Sequence, residues 1–366
     1  MVRSIEYRQL VTILALFLIV QLAGVLIAFW LASPAPVVQT SSAPSGGAVE
    51  LIFYFAYIVV TAVLLMLLFR VYRGNALFVI IEALVVVSAT FYLFAIVISP
   101  FLPQAGGAYA IAVSLIMAVA LIAAKNRWPQ LRNLTAVLAS IGVGVVLGSY
   151  FSPEQFGPAS FFYAYLLMAF IAVYDYVAVF ITRHMIALGR EAVNRNLSFM
   201  IGTYNVEVVP KSNMKRSEIS AMKKSMKEGK VQSPELRKLI KEGSYPVPAF
   251  SALGTGDLAM PLMLAVSAYL TYMQYFMSLL IVIGGAFGLV FAMYVSKKYK
   301  VALPAIPPLL AFISVALGAD AGSFGPGGLL PYLGLVAVSM IMLGLMLFSA
   351  GRQGKFGDKA RILKDS

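Results

Sequence analysis

Cysteine is absent from the 366-residue chain, and histidine occurs once, at His184. Without cysteine there are no disulfides, no thiol catalysis and no Cys-based metal site. A single histidine leaves no His-X-X-X-His pair for zinc and no deep imidazole to act as base for a serine nucleophile. Charge is scarce as well. Only 12% of residues are charged and 61% are hydrophobic, against about 25% charged in a soluble domain. That balance excludes an ordinary soluble protein. The net charge of +13 would suit nucleic acid, but the positions of the charges point to a membrane instead.

What fills the chain is a series of ten apolar runs: 10–31, 51–69, 76–98, 108–124, 134–151, 159–181, 252–272, 276–295, 304–317 and 329–350. A helix crosses the bilayer with roughly 20 apolar residues, so the runs predict an all-α polytopic membrane protein. A signal peptide has an apolar core of only about 7–15 residues. The first run is therefore expected to be kept as a span, although Trp30-Leu31-Ala32-Ser33 also fits a cleavage site. A Pro/Ser/Gly-rich loop, 33–47, follows it.

The basic residues sort onto one side. Arg3 and Arg8 precede the first run, and Arg70 and Arg73 lie between the second and third. Lys125, Arg127 and Arg132 lie between the fourth and fifth. Arg183 through Lys241 separate the sixth from the seventh, Lys297, Lys298 and Lys300 separate the eighth from the ninth, and Arg352 to Lys364 follow the tenth. The opposite loops carry Glu50, Glu154 and Asp320 but no Lys or Arg. By the positive-inside rule the basic side is cytoplasmic, in the cell membrane, with both termini on that side. Asn133-Leu134-Thr135 and Asn196-Leu197-Ser198 match the glycosylation pattern but fall on the cytoplasmic side, so both are chance matches.

This divides the chain into an N-terminal six-helix membrane region (1–182), a cytoplasmic loop (183–248), a C-terminal membrane region (249–350) and a cytoplasmic tail (351–366). In the loop, Ser217 can cap a short helix ending near Gly229, and Ser233-Pro234-Glu235 starts another that ends at Gly243. These basic helices fit contact with anionic headgroups, but a solvated linker is the preferred reading. The apolar patch 197–201 either rests on the membrane or pairs as a strand.

Two acids stand out inside the runs. Asp175 lies eight residues before Arg183, which at ~1.5 Å per residue is roughly 12 Å below the surface. A carboxylate at that depth costs several kcal/mol on some scales and more on others, so helices rarely carry one without a use. Taken alone, it is equally a structural acid bonded to a neighbouring helix. Asp257 enters from the same side, about 16 residues past Lys241, within Gly254-Thr255-Gly256-Asp257. The two glycines let another helix or a substrate backbone approach, and Pro261 frees a carbonyl one turn into the span. Two acids meeting in a poorly solvated site cannot both ionise easily and titrate as a unit. One then takes a proton from water while the other hydrogen-bonds a scissile carbonyl. The ninth run opens with Pro304-Ala305-Ile306-Pro307-Pro308, whose three prolines keep its first turn from being an ordinary helix. Such backbone at membrane depth usually lines a cavity or is buried in protein; a plain proline-rich helix start is the equal alternative.

Tyr174-Asp175, Gly254-Thr255-Gly256-Asp257 and Pro304-Ala305-Ile306 resemble, in order, the three motifs of the presenilin and signal peptide peptidase family, the GxGD intramembrane aspartyl proteases. Val173 to Val179 is presenilin-like, Gly256-Asp257 followed by Pro261 is closer to signal peptide peptidases, and the whole looks like an archaeal presenilin homologue. The resemblance spans runs five to nine. It implies a presenilin-like bundle of nine transmembrane helices, with 329–350 as an additional tenth whose Gly-rich approach, 322–328, suits a peripheral helix. It implies catalytic roles for Asp175 and Asp257 and a substrate-positioning role for Pro304, Ala305 and Ile306. Tyr174, Gly254, Thr255 and Gly256 are expected to border the substrate. No cofactor, metal or nucleic acid is expected; the partners are the lipid bilayer and transmembrane or signal-peptide-like substrates. Ile306 stands where the family usually has Leu, and Thr255 replaces a common Leu, so both bear on selectivity. The rival class is a proton- or ion-coupled transporter that would recruit Glu82 in the third run; a structural Glu bonded to a neighbouring helix is the preferred reading of that residue.

Overall fold

Hydrocarbon offers backbone amides no partner, so an apolar run that crosses it satisfies them internally as a helix. In the computed structural model, residues 2–32, 76–101, 106–182, 197–210, 244–299 and 301–365 are described, with scattered helical positions in 49–67 and at 185 and 189. The helices are α1 (Val2–Ala32), α2 (Ala76–Ile98), α3 (Gly106–Arg127), α4 (Arg132–Tyr150), α5 (Ser160–Tyr176), α6 (Thr255–Tyr272), α7 (Tyr275–Tyr299), α8 (Ile306–Leu317) and α9 (Gly325–Asp365). Among the described residues, six stretches are helical, long and apolar enough to cross a membrane; the longest, Arg132–Ile181, takes in both α4 and α5. The chain is an integral membrane protein built as a bundle of helices. The second run, 51–69, is described only at scattered positions, and the two helices expected at 217–229 and 233–243 lie outside the described residues.

The chain separates into two compact units, residues 1–13 with 202–252, and residues 14–201 with 253–366. In the first, two strands pair as a sheet, β1 (Met200–Pro210) and β2 (Ser244–Gly254), each ending just inside the second unit. The patch 197–201 therefore runs into a strand, at Met200, and the seventh run does not turn helical until Thr255. Pro246 and Pro248 lack the amide hydrogen a helix would use and hold their predecessors extended.

In the second unit, burial separates the helices by role. Leu258, Ala259 and every residue of α6 from Pro261 to Tyr269 are buried, and so is most of α8. Helices apolar and buried all round form the centre of a bundle. By contrast α3 and α9 turn Ile111, Ile116, Leu330 and Phe348 outward, as suits helices facing lipid.

Close backbone contact draws the central helices in. A Cβ at Gly148 of α4 would lie 2.5 Å from the Val266 Cβ of α6, and one at Gly288 of α7 would lie 2.6 Å from the Leu309 Cα of α8. Only glycine permits such approach, and helix contact in lipid relies on small residues for this reason.

The tenth run lies at the periphery, as expected, and docks on the bundle by one face. α9 packs one face on α5, α7 and α8. Tyr332 donates its hydroxyl hydrogen to the Ser314 carbonyl of α8 at 2.7 Å, and the Tyr176 and Ser349 hydroxyls are 2.8 Å apart. Met346 and Ala350 are buried with Phe180 and Val295. Apolar surface opposite serines and tyrosines gives the helix both area and buried partners, which the run's high hydropathy did not reveal.

Candidate active site

Asp175 lies near the end of α5 and is 7% exposed. One residue after it, at Tyr176, the regular α-helix stops. Val177–Ile181 forms a wider π turn in which the Thr182 N–H bonds the Val177 carbonyl, five residues back, at 2.9 Å. Single π turns inside helices occur frequently at functional sites. The half-buried Tyr174 lies close enough to Asp175 to interact with it electrostatically.

Asp257 occupies the third position of α6. Its Oδ2 accepts the Gly254 N–H at 3.2 Å, so the carboxylate caps its own helix. Thr255 is fixed from outside the helix: the Phe199 carbonyl accepts its N–H at 3.0 Å and its hydroxyl hydrogen at 3.2 Å. Gly256 is exposed, and a Cβ there would meet nothing within 4 Å. The missing side chain leaves open space beside Asp257. A cavity of about 110 Å³ has Thr255 and Gly256 in its wall, together with residues of α2, α4 and the 198–199 segment. Pro261 has no N–H to give the Asp257 carbonyl, four residues back. One residue further on, Gln21 of α1 donates its amide hydrogen to the Leu258 carbonyl at 2.8 Å.

The ninth run begins as non-helical backbone from Val301 to Ala305, and α8 starts at Ile306. Pro307 and Pro308 fall in the first turn, where a missing N–H costs nothing because no partner exists for it there. Pro304 and Ile306 are buried. The Ile306 N–H donates to Asp175 Oδ2 at 3.4 Å. Asp175 lies within electrostatic reach of Asp257.

The structure thus brings together the Tyr174–Asp175 pair, the Gly254–Asp257 turn and the Pro304–Ile306 segment. It also shows three features the sequence did not: the π turn, the Phe199 carbonyl and the Gln21 amide. Gln21 was visible as a lone amide in an apolar run; the other two leave no composition signal. Glu82 is not open to an ion path. Lys125 of α3 donates to both its oxygens, at 2.7 and 2.8 Å.

A buried and a half-buried acid, each beside a break in a helix, sit in this helical membrane bundle, an arrangement consistent with an intramembrane hydrolase. Over residues 14–313 the chain matches the family described as signal-peptide peptidase, presenilin aspartyl protease. That covers most of its length, and the chain belongs to this family: it is an aspartic-type intramembrane endopeptidase. Its fold is similar to that of a presenilin family intramembrane aspartate protease solved in a C222 space group. The identity is 19% and the TM-score 0.52, over 86% of this chain and 98% of the other. A second structure of a presenilin family intramembrane aspartate protease, in a P2 space group, matches at 19% identity and TM-score 0.51, over 84% and 96%. Among curated proteins none matches the chain.

Proposed function

We propose that Asp175 and Asp257 form a dyad that hydrolyses peptide bonds within transmembrane segments of membrane proteins, with water as the nucleophile. The carrying observation is the Asp175 carboxylate: it is buried, within electrostatic reach of Asp257, and bonded to the Ile306 amide. In the reaction one carboxylate removes a proton from water as the oxygen attacks the scissile carbonyl carbon. The other, carrying the shared proton, donates a hydrogen bond to the carbonyl oxygen. The tetrahedral diol then collapses, the C–N bond breaks, and a proton passes to the leaving nitrogen. The products are a carboxylic acid and an amine.

A substrate helix must first open, because its carbonyls are bonded internally and dry. The extended backbone of β2 suits a substrate taken up as an added strand. The strand β2 ends at Gly254, three residues before Asp257, which supports this. Gly256 leaves room for the opened chain; Tyr174, Gly254, Thr255, Pro304, Ala305 and Ile306 border it. Substrates are single-span proteins, signal-peptide-like segments or the membrane stubs left by other proteases. The excess of Lys and Arg on one set of loops supports an orientation in the cell membrane with both termini and the 183–248 loop cytoplasmic. Membrane regions at 1–182 and 249–350 then flank that loop, and 351–366 is a cytoplasmic tail.

The test is cleavage of a single-span helical peptide by purified protein in bilayers. Activity is expected in the native protein and absent in both Asp175→Asn and Asp257→Asn. Equal cleavage by either variant overturns the assignment.

A further inference from the structure

Glu82 and Lys125 lie outside all three motifs, yet they are buried, 1% and 4% exposed. Besides its bonds to Lys125, Glu82 Oε1 accepts the Ser198 N–H at 2.6 Å. Phe78 of α2 is buried against Leu197. Residues four apart share a helix face, so α2 grips the 197–199 segment at two points, one apolar and one polar. The segment then commits its next carbonyl, that of Phe199, to the backbone and hydroxyl of Thr255. Thr255 opens the turn in which Asp257 bonds Gly254. A continuous series of polar contacts therefore runs from Lys125 to the turn that carries Asp257.

Cohesion between α2 and α3 gives no reason for charges here. A buried ion pair loses hydration that its attraction often only matches, and an apolar pair of similar volume frequently does as well or better. A fixed acceptor aimed at the Ser198 N–H does give a reason. We propose that Glu82, oriented by Lys125, is a positioning residue for the hydrolysis. It holds the 198–199 segment so that the Phe199 carbonyl fixes the first turn of α6 and the aim of the Asp257 carboxylate. The inference rests on Asp257 being catalytic, as proposed above. Neither Glu82 nor Lys125 touches the reacting atoms in this account; their effect passes through two stretches of backbone.

The experiment measures kcat, KM and Tm for the purified full-length protein and three variants, using one single-span peptide substrate. The double variant Glu82→Leu with Lys125→Met removes the buried charges and the acceptor together. Its kcat is expected to fall roughly 10- to 100-fold, the scale of a small misplacement of a catalytic group, while KM stays within about twofold. Glu82→Gln with Lys125→Met is the conservative rescue: an amide oxygen still faces Ser198, and most of the kcat is expected to return. Ser198→Pro removes the donor and leaves the ion pair in place, while also fixing the 198 torsion; the same fall in kcat is expected, and native kcat there is decisive should the apolar pair not fold. Native kcat in Ser198→Pro overturns the proposal. So does a Gln pair as slow as the Leu pair at equal Tm, or a loss confined to KM. If Asp257→Asn cleaves like the native protein, the protease assignment has failed. If Asp257→Asn is inert and the three variants are fully active, the positioning role alone has failed.

Discussion

The Ile306 backbone N–H donates to the Asp175 carboxylate across 131 residues of sequence, at 3.4 Å. This bond ties the end of α5 to the start of α8, and it comes from the one amide of the first turn of α8 that precedes its two prolines. Groups that act as one unit fail together when any of them is removed. Asp175→Asn, Asp257→Asn and the double variant should therefore all sit at the same background rate. A double variant measurably slower than either single would show that the acids work independently. Single-turnover cleavage of a labelled helical peptide makes the comparison.

In the proposed dyad, sharing one proton has a consequence for pH. At low pH both acids carry protons and neither can act as base; at high pH both are ionised and neither can donate to the carbonyl. The rate should rise and then fall with pH, with limbs that belong to the pair rather than to one residue. A single-limbed profile across the range in which the protein stays folded would contradict a shared proton.

Pro304 is buried at the end of the non-helical stretch that leads into α8. Pro304→Ala frees the backbone torsion and adds an N–H, loosening the segment that presents Ile306 to Asp175. Cleavage is expected to fall about tenfold, the lower part of the range for a loosened site, with Tm little changed. Undiminished cleavage would remove Pro304 from the substrate-positioning set.

Gly256 and Gly288 make opposite predictions. At Gly256 an added methyl meets open space. Gly256→Ala should fold normally and raise KM, because the methyl takes room meant for substrate. At Gly288 the methyl would fall 2.6 Å from the Leu309 Cα. Gly288→Ala forces α7 and α8 apart and should cost about 1–3 kcal/mol, as overpacked cores do. Thermal unfolding in detergent separates the two: Tm falls for Gly288→Ala and holds for Gly256→Ala.

Much of the bundle is legible in the sequence because lipid enforces it. Runs of the right length must be helical, and α2, α7 and the first span follow their runs within a few residues at most ends. The prolines at 304, 307 and 308 also carry their meaning locally, and the stretch before Ile306 is indeed not helical. What sequence does not show is contact between distant backbone groups. The Phe199 carbonyl that holds Thr255 has no side-chain signature. Lys125 reads as one more base at the edge of the membrane, yet it is folded inward onto Glu82. Glu82 itself was readable as a structural acid, because an unpaired charge in an apolar run has to find a partner. The docking of α9 depends on matching its serines and tyrosines to those of α5 and α8, a fit no single run contains.

The wide turn at 177–181 fits one more residue into its coil than an α-helix would. Upstream of it, α5 presents Asp175 toward Ile306 and Asp257; within it, Phe180 lies in a cluster with Val295, Met346 and Ala350. A regular helix would advance about 100° per residue without interruption, so a deletion inside 177–181 swings everything beyond it by that angle. One half of the span would then keep its neighbours and the other would lose them. Gene variants that shorten this stretch by a single codon should thus be harsher than most substitutions within it.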